Sequence, residues 1–340
     1  MTLPHAQFSM TAQAPPSSPS MRAAVIVAPQ QVVLQQVPMP QFQATDILVQ
    51  LEGCGLCGSN LPVWEGREWF DYPRAPGSPG HEGWGQVIAT GAAVTAVAKG
   101  DRVALLSEHA FADYDVADES AVVKLPAALD GQPFPGEPLA CAMNVFARSK
   151  IAPGETVAII GIGFLGALLT QLAVDAGARV IAISRRDFSL EIAEQCGAAV
   201  MIPMLDHWEI IEQVQTLTDG EGCDCVIEAV GQQWPLDLAA ELTRIRGRLI
   251  IAGYHQDGLR QVNMQLWNWR GLDVINAHER EPAVYRAGMC AAVEAVLAGR
   301  LKPTMLYTHT LPLTALAEAF SLLQERPPTF LKALVVTGNS

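Results

Sequence analysis

Residues 155–175 read ETVAIIGIGFLGALLTQLAVD, and the order of features in this stretch decides the fold. Thr156–Ile160 is an unbroken apolar run of the kind found in strands buried on both faces. From Phe164 onward apolar residues recur three and four apart, which predicts a helix. Between the two stands Gly161-Ile162-Gly163-Phe164-Leu165-Gly166. At a strand–helix junction each glycine has its own task. The first makes a tight turn, the second lets the backbone approach a pyrophosphate, and the third allows close helix–strand packing. The helix N-terminus then offers free N–H groups to phosphates. A merely structural turn would not need all three at one junction. The stretch predicts a dinucleotide site formed by Gly161, Gly163, Phe164, Leu165 and Gly166.

The same alternation continues downstream. ARVIAIS, AAVMIP, CDCVIEAVG and GRLIIAG read as strands, with helices at FSLEIAEQCG and around residues 208–218 and 234–244. LDVINA and the helical PAVYRAGMCAAVEAVLAG close the unit. Strands alternating with helices of this length predict an α/β fold with a doubly wound parallel sheet, over residues 147–303. Upstream, MRAAVIV, DILVQLEGCG, GQVIATG, DRVALL and SAVVKLP alternate or run β-branched between Gly and Pro turns. They predict a mainly antiparallel β domain over residues 21–146. The tail, 304–340, is too short for its own core and is expected to complete that first domain. Residues 61–79 form the longest irregular stretch, holding Trp64, Trp69, Phe70 and Tyr72, either as a binding loop or as a packed one. Residues 1–20 are rich in Pro and Ser and lack Asp, Glu, Lys and Arg, so they read as a disordered leader, with Met21 a candidate original start.

A chain of 340 residues exceeds the usual size of one hydrophobic core, which agrees with two domains. Its 35 acidic and 22 basic residues give a net charge of −13. Such a surface repels phosphate backbones and anionic lipid, so neither nucleic acid nor membrane is expected as a partner. Seven cysteines, an odd number, in a chain that needs no staples and opens with no secretion signal point to the cytoplasm, with some thiols free for metal.

An NAD-selective site needs a carboxylate at the end of the second strand, for the ribose hydroxyls. Here that strand ends Ser184-Arg185-Arg186, and the first acid is Asp187. A small hydroxyl followed by two guanidiniums suits a 2′-phosphate, because the arginine fork matches phosphate oxygens. The plainer alternative is a solvated helix start, but arginine there opposes the helix dipole. NADP(H) is therefore expected over NAD(H).

The first domain also carries Gly55-Leu56-Cys57-Gly58-Ser59-Asn60, then Gly80-His81-Glu82-Gly83-Trp84-Gly85, and later Gly136-Glu137-Pro138-Leu139-Ala140-Cys141. A thiolate, an imidazole and a carboxylate make a zinc shell with one open position. On chemistry alone the signal is moderate, since single cysteines are commonly just small buried residues. The ordered set is far more specific. With Gly100-Asp101-Arg102-Val103, AFADYDVA at 110–117, KLP at 124–126, EPLA at 137–140, the glycine loop, YTHTLPL and AEAF, the sequence from about residue 21 to 340 resembles the medium-chain, zinc-dependent alcohol and polyol dehydrogenases. Those proteins join a GroES-like catalytic domain to a Rossmann domain.

The resemblance implies that Cys57 and His81 hold a catalytic zinc. It puts Glu137 at the third-ligand position and Glu82 beside it, as a ligand or just behind, and leaves the choice between them open. It implies that Ser59 hydrogen-bonds the substrate oxygen and begins a proton relay, and that Cys141 lies near the nicotinamide. Two departures stand out. Asn60 replaces an aspartate that accepts from the histidine ligand, and Leu61-Pro62-Val63 stand where some members have a relay histidine. The four-cysteine lobe is missing, so one zinc is expected and no structural one. The implied reaction is hydride transfer between NADP(H) and an alcohol, ketone or aldehyde, with a polyol-like substrate preferred. A zinc-free quinone or enoyl reductase has no reason to keep Cys57, His81 and Glu137 together. A non-catalytic NADPH-binding protein would have to keep the cofactor loop while losing turnover. Trp64, Trp69, Trp84, Trp267 and Trp269 are candidate walls of the substrate cleft. The edge strand at 272–277 contains no Pro or Lys, which predicts a two-fold homodimer or a tetramer built from one.

Overall fold

The computed structural model describes residues 19–338, so all of the expected leader except Pro19 and Ser20 lies outside the described residues. The first part runs β1 (Ser20–Ala28), β2 (Gln31–Pro38), β3 (Asp46–Gly55), α1 (Leu61–Glu65), β4 (Gly83–Thr90), β5 (Arg102–Leu105), β6 (Tyr114–Asp118) and β7 (Val122–Lys124). Helix α2 (Gly136–Ser149) then leads into β8 (Thr156–Ile160), α3 (Phe164–Asp175), β9 (Arg179–Ser184), α4 (Asp187–Gln195), β10 (Val200–Pro203) and α5 (His207–Leu217). Next come β11 (Cys223–Glu228), α6 (Gln233–Leu242), β12 (Thr243–Ile251), α7 (Met264–Arg270), β13 (Asp273–Asn276) and α8 (Pro282–Leu297). The tail adds β14 (His309–Pro312), α9 (Leu316–Glu325) and β15 (Ala333–Val336).

Strands β8–β13 form a six-stranded parallel sheet in the order β10-β9-β8-β11-β12-β13. The central β8 and β11 are almost wholly buried, because helices cover both faces, and this is why they read as apolar runs and not as alternating strands. The winding reverses between β8 and β11. In such sheets the crevice beyond the carboxyl ends at the reversal is where a ligand lies. Here it is bounded by Gly161, after β8, and by Ala229 and Val230, after β11.

The other main sheet has seven strands in the order β14-β15-β3-β4-β5-β7, with β6 paired to β3. β15 runs antiparallel to β3, with Val335 opposite Cys54, so the tail is part of this sheet. Phe320 of α9 stacks on Trp64 of α1 at 4.9 Å and meets Phe111 edge-on at 5.8 Å. The start of the stretch 61–79 is therefore packed, with the Tyr72 hydroxyl donating to the Val63 carbonyl, while Trp69 is exposed.

Two expectations change. Trp64 and Trp84 are core residues, not cleft walls; Trp84 lies over Gly53, where a Cβ would come within 2.5 Å of its ring. Ordered strand begins at Ser20, one residue inside the expected leader. The glutamine-rich QVVLQQVP is a strand that sequence reasoning missed: β2, paired with β1 and alternately exposed at an edge. Among the described residues no helix is long and apolar enough to cross a membrane.

Candidate active site

Strand β3 ends at Gly55, and the chain turns through Leu56 and Cys57 into the short turn Gly58–Asn60. Strand β4 starts at Gly83, which puts His81 and Glu82 at its entrance. Donor atoms of Cys57, His81 and Glu82 all lie within 4.8 Å of one another. Ligands of a tetrahedral zinc stand about 3.3–3.8 Å apart, so small side-chain adjustments suffice to close this group on a metal.

Asn60 organises the two loops. Its Oδ1 accepts from the Cys57 backbone N–H at 2.9 Å and its Nδ2 donates to the Pro79 carbonyl at 3.0 Å. Only this amide orientation satisfies both, because the backbone donor needs an oxygen and the carbonyl needs an N–H. His81 Nδ1 lies 2.9 Å from the same Pro79 carbonyl and 3.4 Å from Asn60 Nδ2. A Pro79 carbonyl takes the Nδ1 proton, which leaves Nε2 as the lone-pair nitrogen. Asn60 thus does not accept from the histidine as the aspartate it replaces would: its oxygen is used on Cys57. Desolvation lowers the His81 pKa, but Cys57, Glu137 and Glu82 outweigh it and raise the value to about 10. The donor set is thus strongly cation-attracting.

Glu82 is fully buried and paired with Lys332, which is 4 % exposed. Lys332 Nζ lies 2.7 Å from Oε1 and 2.5 Å from Oε2, and it also donates to the Leu56 carbonyl at 2.8 Å. Gly55 is required beside this pair, since a Cβ there would fall 1.9 Å from Glu82 Oε2. Glu137 stands outside the 4.8 Å group, in the first turn of α2. Burial raises its pKa, and the charge of the nearby His81 and the hydroxyl of Tyr285 on α8 oppose that. Cys141 follows one turn later on α2, so it shares the face of Glu137. Burial, with Glu137 and Cys57 adding to it, pushes its thiol well up. Ser59 is half-buried in the turn beside Cys57.

The glycine loop has three distinct geometries. Gly161 has φ 95°, in the left-handed region, and a Cβ there would meet Val230 at 2.4 Å. Gly163 has no atom within 4 Å of where a Cβ would stand, so its backbone is open to a ligand. At Gly166 a Cβ would fall 2.1 Å from the Gly161 carbonyl oxygen. These are the turn, the approach and the close packing that a dinucleotide pyrophosphate needs. Phe164, first in α3, stacks on Tyr307 at 5.9 Å and carries Lys332 Nζ 4.9 Å above its ring. Leu165 is half-buried next to it. At the end of β9, Ser184 is buried, Arg185 is exposed and Arg186 donates through Nη1 to the Phe330 carbonyl.

Sequence reasoning missed Lys332, Tyr285 and a brace behind the glycine loop. In that brace the buried Glu228 accepts from Val230 and Gly231 N–H groups, both at 2.7 Å, and pairs with His255 Nε2 at 3.0 Å. Arg260 donates to His255 Nδ1 at 3.1 Å, which fixes the ring proton on Nε2. A lysine opening the apolar strand KALVV was the visible signal for Lys332.

Residues 43–127 match the model of the alcohol dehydrogenase GroES-like domain, and residues 165–294 match that of the zinc-binding dehydrogenase. An alcohol dehydrogenase of Rhizobium meliloti is 30% identical over 255 residues, which are 65% of this chain and 73% of that protein. The L-threonine 3-dehydrogenase of Bacillus velezensis is 27% identical over 326 residues, 86% of this chain and 92% of the relative. A Sinorhizobium meliloti 1021 protein assigned as a zinc-binding dehydrogenase, solved bound to NADP, superposes with a TM-score of 0.79 at 25% identity, covering 94% of this chain and all of that one. The chain belongs to the medium-chain, zinc-type alcohol dehydrogenase family.

The buried ion pair gives a direct stability test. Lys332→Met leaves Glu82 uncompensated and should destabilise chelator-treated protein by about 3–5 kcal/mol in urea unfolding. A loss below about 1 kcal/mol would show that the pair is not sealed from water.

Proposed function

We propose that the chain is a zinc-dependent, NADP(H)-linked dehydrogenase acting on an alcohol or its carbonyl partner, with a hydroxylated, polyol-like substrate. The convergence of Cys57, His81 and Glu82, tied to the helix of the glycine loop through Lys332 and Phe164, carries this reading. Cys57, His81 and Glu82 would hold the metal, with Glu137 facing it across the cleft. Bound there, zinc supplies a Lewis acid for the substrate oxygen, and the nicotinamide gives or takes the hydride. Ser59 hydrogen-bonds the substrate hydroxyl and relays its proton, passing its own hydroxyl proton onward as it takes the substrate's during oxidation, and the reverse during reduction. Asn60 and the Pro79 carbonyl keep the His81 ring oriented. Phe164 and Tyr307 wall the crevice against water where hydride moves. Arg185 and Arg186 pair with the 2′-phosphate, while Cys141 stands by the nicotinamide.

The metal test is elemental analysis. One zinc per chain is expected, with ketone-dependent NADPH oxidation lost on chelation and reduced at least a hundredfold in Cys57→Ala. Two tightly held zincs, or near-normal turnover of the variant, would sink the assignment.

For the cofactor, neutral residues at 185 and 186 should weaken NADPH by about ten- to hundredfold while NADH changes little, since only NADPH carries the phosphate. Equal losses for both, or a wild-type preference for NADH, would overturn the NADP(H) reading.

The reading extends to assembly. β13 is the last strand of its sheet, and Trp269, Met264 and Val262 beside it are exposed. A two-fold axis that paired β13 with its copy would satisfy the strand's free backbone groups and cover this apolar area. Light scattering at micromolar concentration should give the mass of a dimer or tetramer; a constant monomer mass would show the edge capped within one chain. The seven free cysteines suit a cytoplasmic setting.

A further inference from the structure

Glu228 ends β11 beside the dinucleotide crevice and carries a carboxylate with no solvent contact. Its Oε1 accepts from the N–H groups of both Val230 and Gly231, at 2.7 Å each. Its Oε2 lies 3.0 Å from His255 Nε2, and its carbonyl accepts from Ala252 and Gly253 at 2.8 Å. One residue thus ties the end of β11 to the end of β12. The two turns meet backbone to backbone, since a Cβ at Gly253 would fall 2.2 Å from the Gly231 nitrogen and 2.7 Å from Oε2. A buried carboxylate needs a cation, yet among the described residues no lysine or arginine pairs with Glu228. The cation stands one ring away. Arg260 Nε donates to His255 Nδ1 at 3.1 Å, so the imidazole keeps its proton on Nε2, aimed at Glu228, with a positive charge behind it. Arg260 Nη2 also donates to the Gly231 carbonyl at 2.9 Å. Gly258, at φ 109°, turns the chain so that residue 260 comes back to residue 255. The bonds close a ring: Glu228 to Gly231, Gly231 to Arg260, Arg260 to His255, and His255 to Glu228.

We propose that His255 and Arg260 are positioning residues for the dinucleotide: through Glu228 they fix the Val230 wall of the crevice. This rests on the dinucleotide reading above and assigns two residues that the reading did not include. The ring stands directly behind that wall. Val230 Cγ2 lies 2.4 Å from where a Cβ of Gly161 would stand, and the Ala229 carbonyl oxygen 3.3 Å from it. A shift of the turn 229–231 therefore moves the surface on which the glycine loop packs. Without the imidazole, Glu228 loses a donor and its nearest positive charge. Its carboxylate is then driven toward water, drawing the Val230 and Gly231 N–H groups with it and adding a negative field to the site of an anionic ligand. The donor pattern also says which substitute serves. Glutamine at 255 can give an amide N–H to Glu228 and a carbonyl to Arg260, whereas leucine offers neither.

His255→Leu, His255→Gln and Arg260→Met test this in the full-length protein. NADPH and NADH affinities are measured by nucleotide fluorescence, amide exchange of the segment 229–231 by hydrogen–deuterium exchange, and turnover against pH at saturating cofactor. In His255→Leu both dinucleotides should weaken in parallel by about tenfold, and the segment should exchange faster. Arg260→Met should shift both readings in the same direction, and His255→Gln should stay near wild type with its pH profile unmoved. Should the leucine variant not fold, Arg260→Met set against Arg260→Lys carries the same comparison, with lysine the milder. Unchanged affinities in the leucine and methionine variants overturn the proposal. So does a shifted pH profile in His255→Gln, which would make the imidazole a proton carrier. A loss confined to NADPH overturns it as well, and would tie the ring to the 2′-phosphate. A wild-type chain that binds neither dinucleotide removes the reading and this proposal together, whereas a binding wild type with unaffected variants removes this proposal alone.

Discussion

Glu82 carries a carboxylate to a point with no solvent contact, and Lys332 meets it from a strand 250 residues later. A buried carboxylate is costly unless a cation and hydrogen-bond donors surround it, so the partner must arrive for the first sheet to close. Lys332 arrives only because β15 pairs with β3, which fixes the tail in the first sheet. The same ammonium is held by the Leu56 carbonyl, one residue before Cys57. Position 55 must then be glycine, because the carboxylate fills the space of its Cβ. Metal loop, sheet register and chain end are thus set by one electrostatic requirement.

The parallel-sheet unit was the most legible part of the sequence, since strands buried on both faces are apolar throughout and the glycine spacing has few other uses. Each of the three glycines does a different geometric job in the structure. The family was legible from the order of motifs and is supported independently by the two domain matches. Cys57 and His81 were legible as candidate donors only with the resemblance, since on chemistry alone their signal was moderate. The choice between Glu82 and Glu137 was not, for spacing along the chain says nothing about which carboxyl comes within 4.8 Å of a thiol and an imidazole.

What sequence could not supply came from contacts made across long separations. Tyr285 reaches Glu137 from the other domain, and Asn60 joins two loops through a carbonyl at Pro79. Tryptophans were misread for a related reason. A large amphipathic ring in a glycine-rich region fits a pocket wall and a core equally well, and only the neighbours decide. Trp84 is packed over Gly53, and Trp64 is stacked on a phenylalanine from the tail.

Charge is sorted within the cleft in a way that joins metal and cofactor. Cys57, Glu82 and Glu137 gather around His81 and hold its pKa near 10, a field that draws a divalent cation inward. Further along, burial and the charges of neighbouring arginines lower the pKa values of Arg186 and Arg326, and no carboxylate pairs with either among the described residues. Phe164 lies where the two fields meet, with Lys332 above its ring and the open backbone of Gly163 before it. A ligand with phosphates at one end and an uncharged reacting ring at the other fits that gradient in one orientation. On the reading proposed above, exchanging the two ends of a dinucleotide would set phosphate against the Glu82 and Glu137 carboxyls, so the field favours one direction of entry.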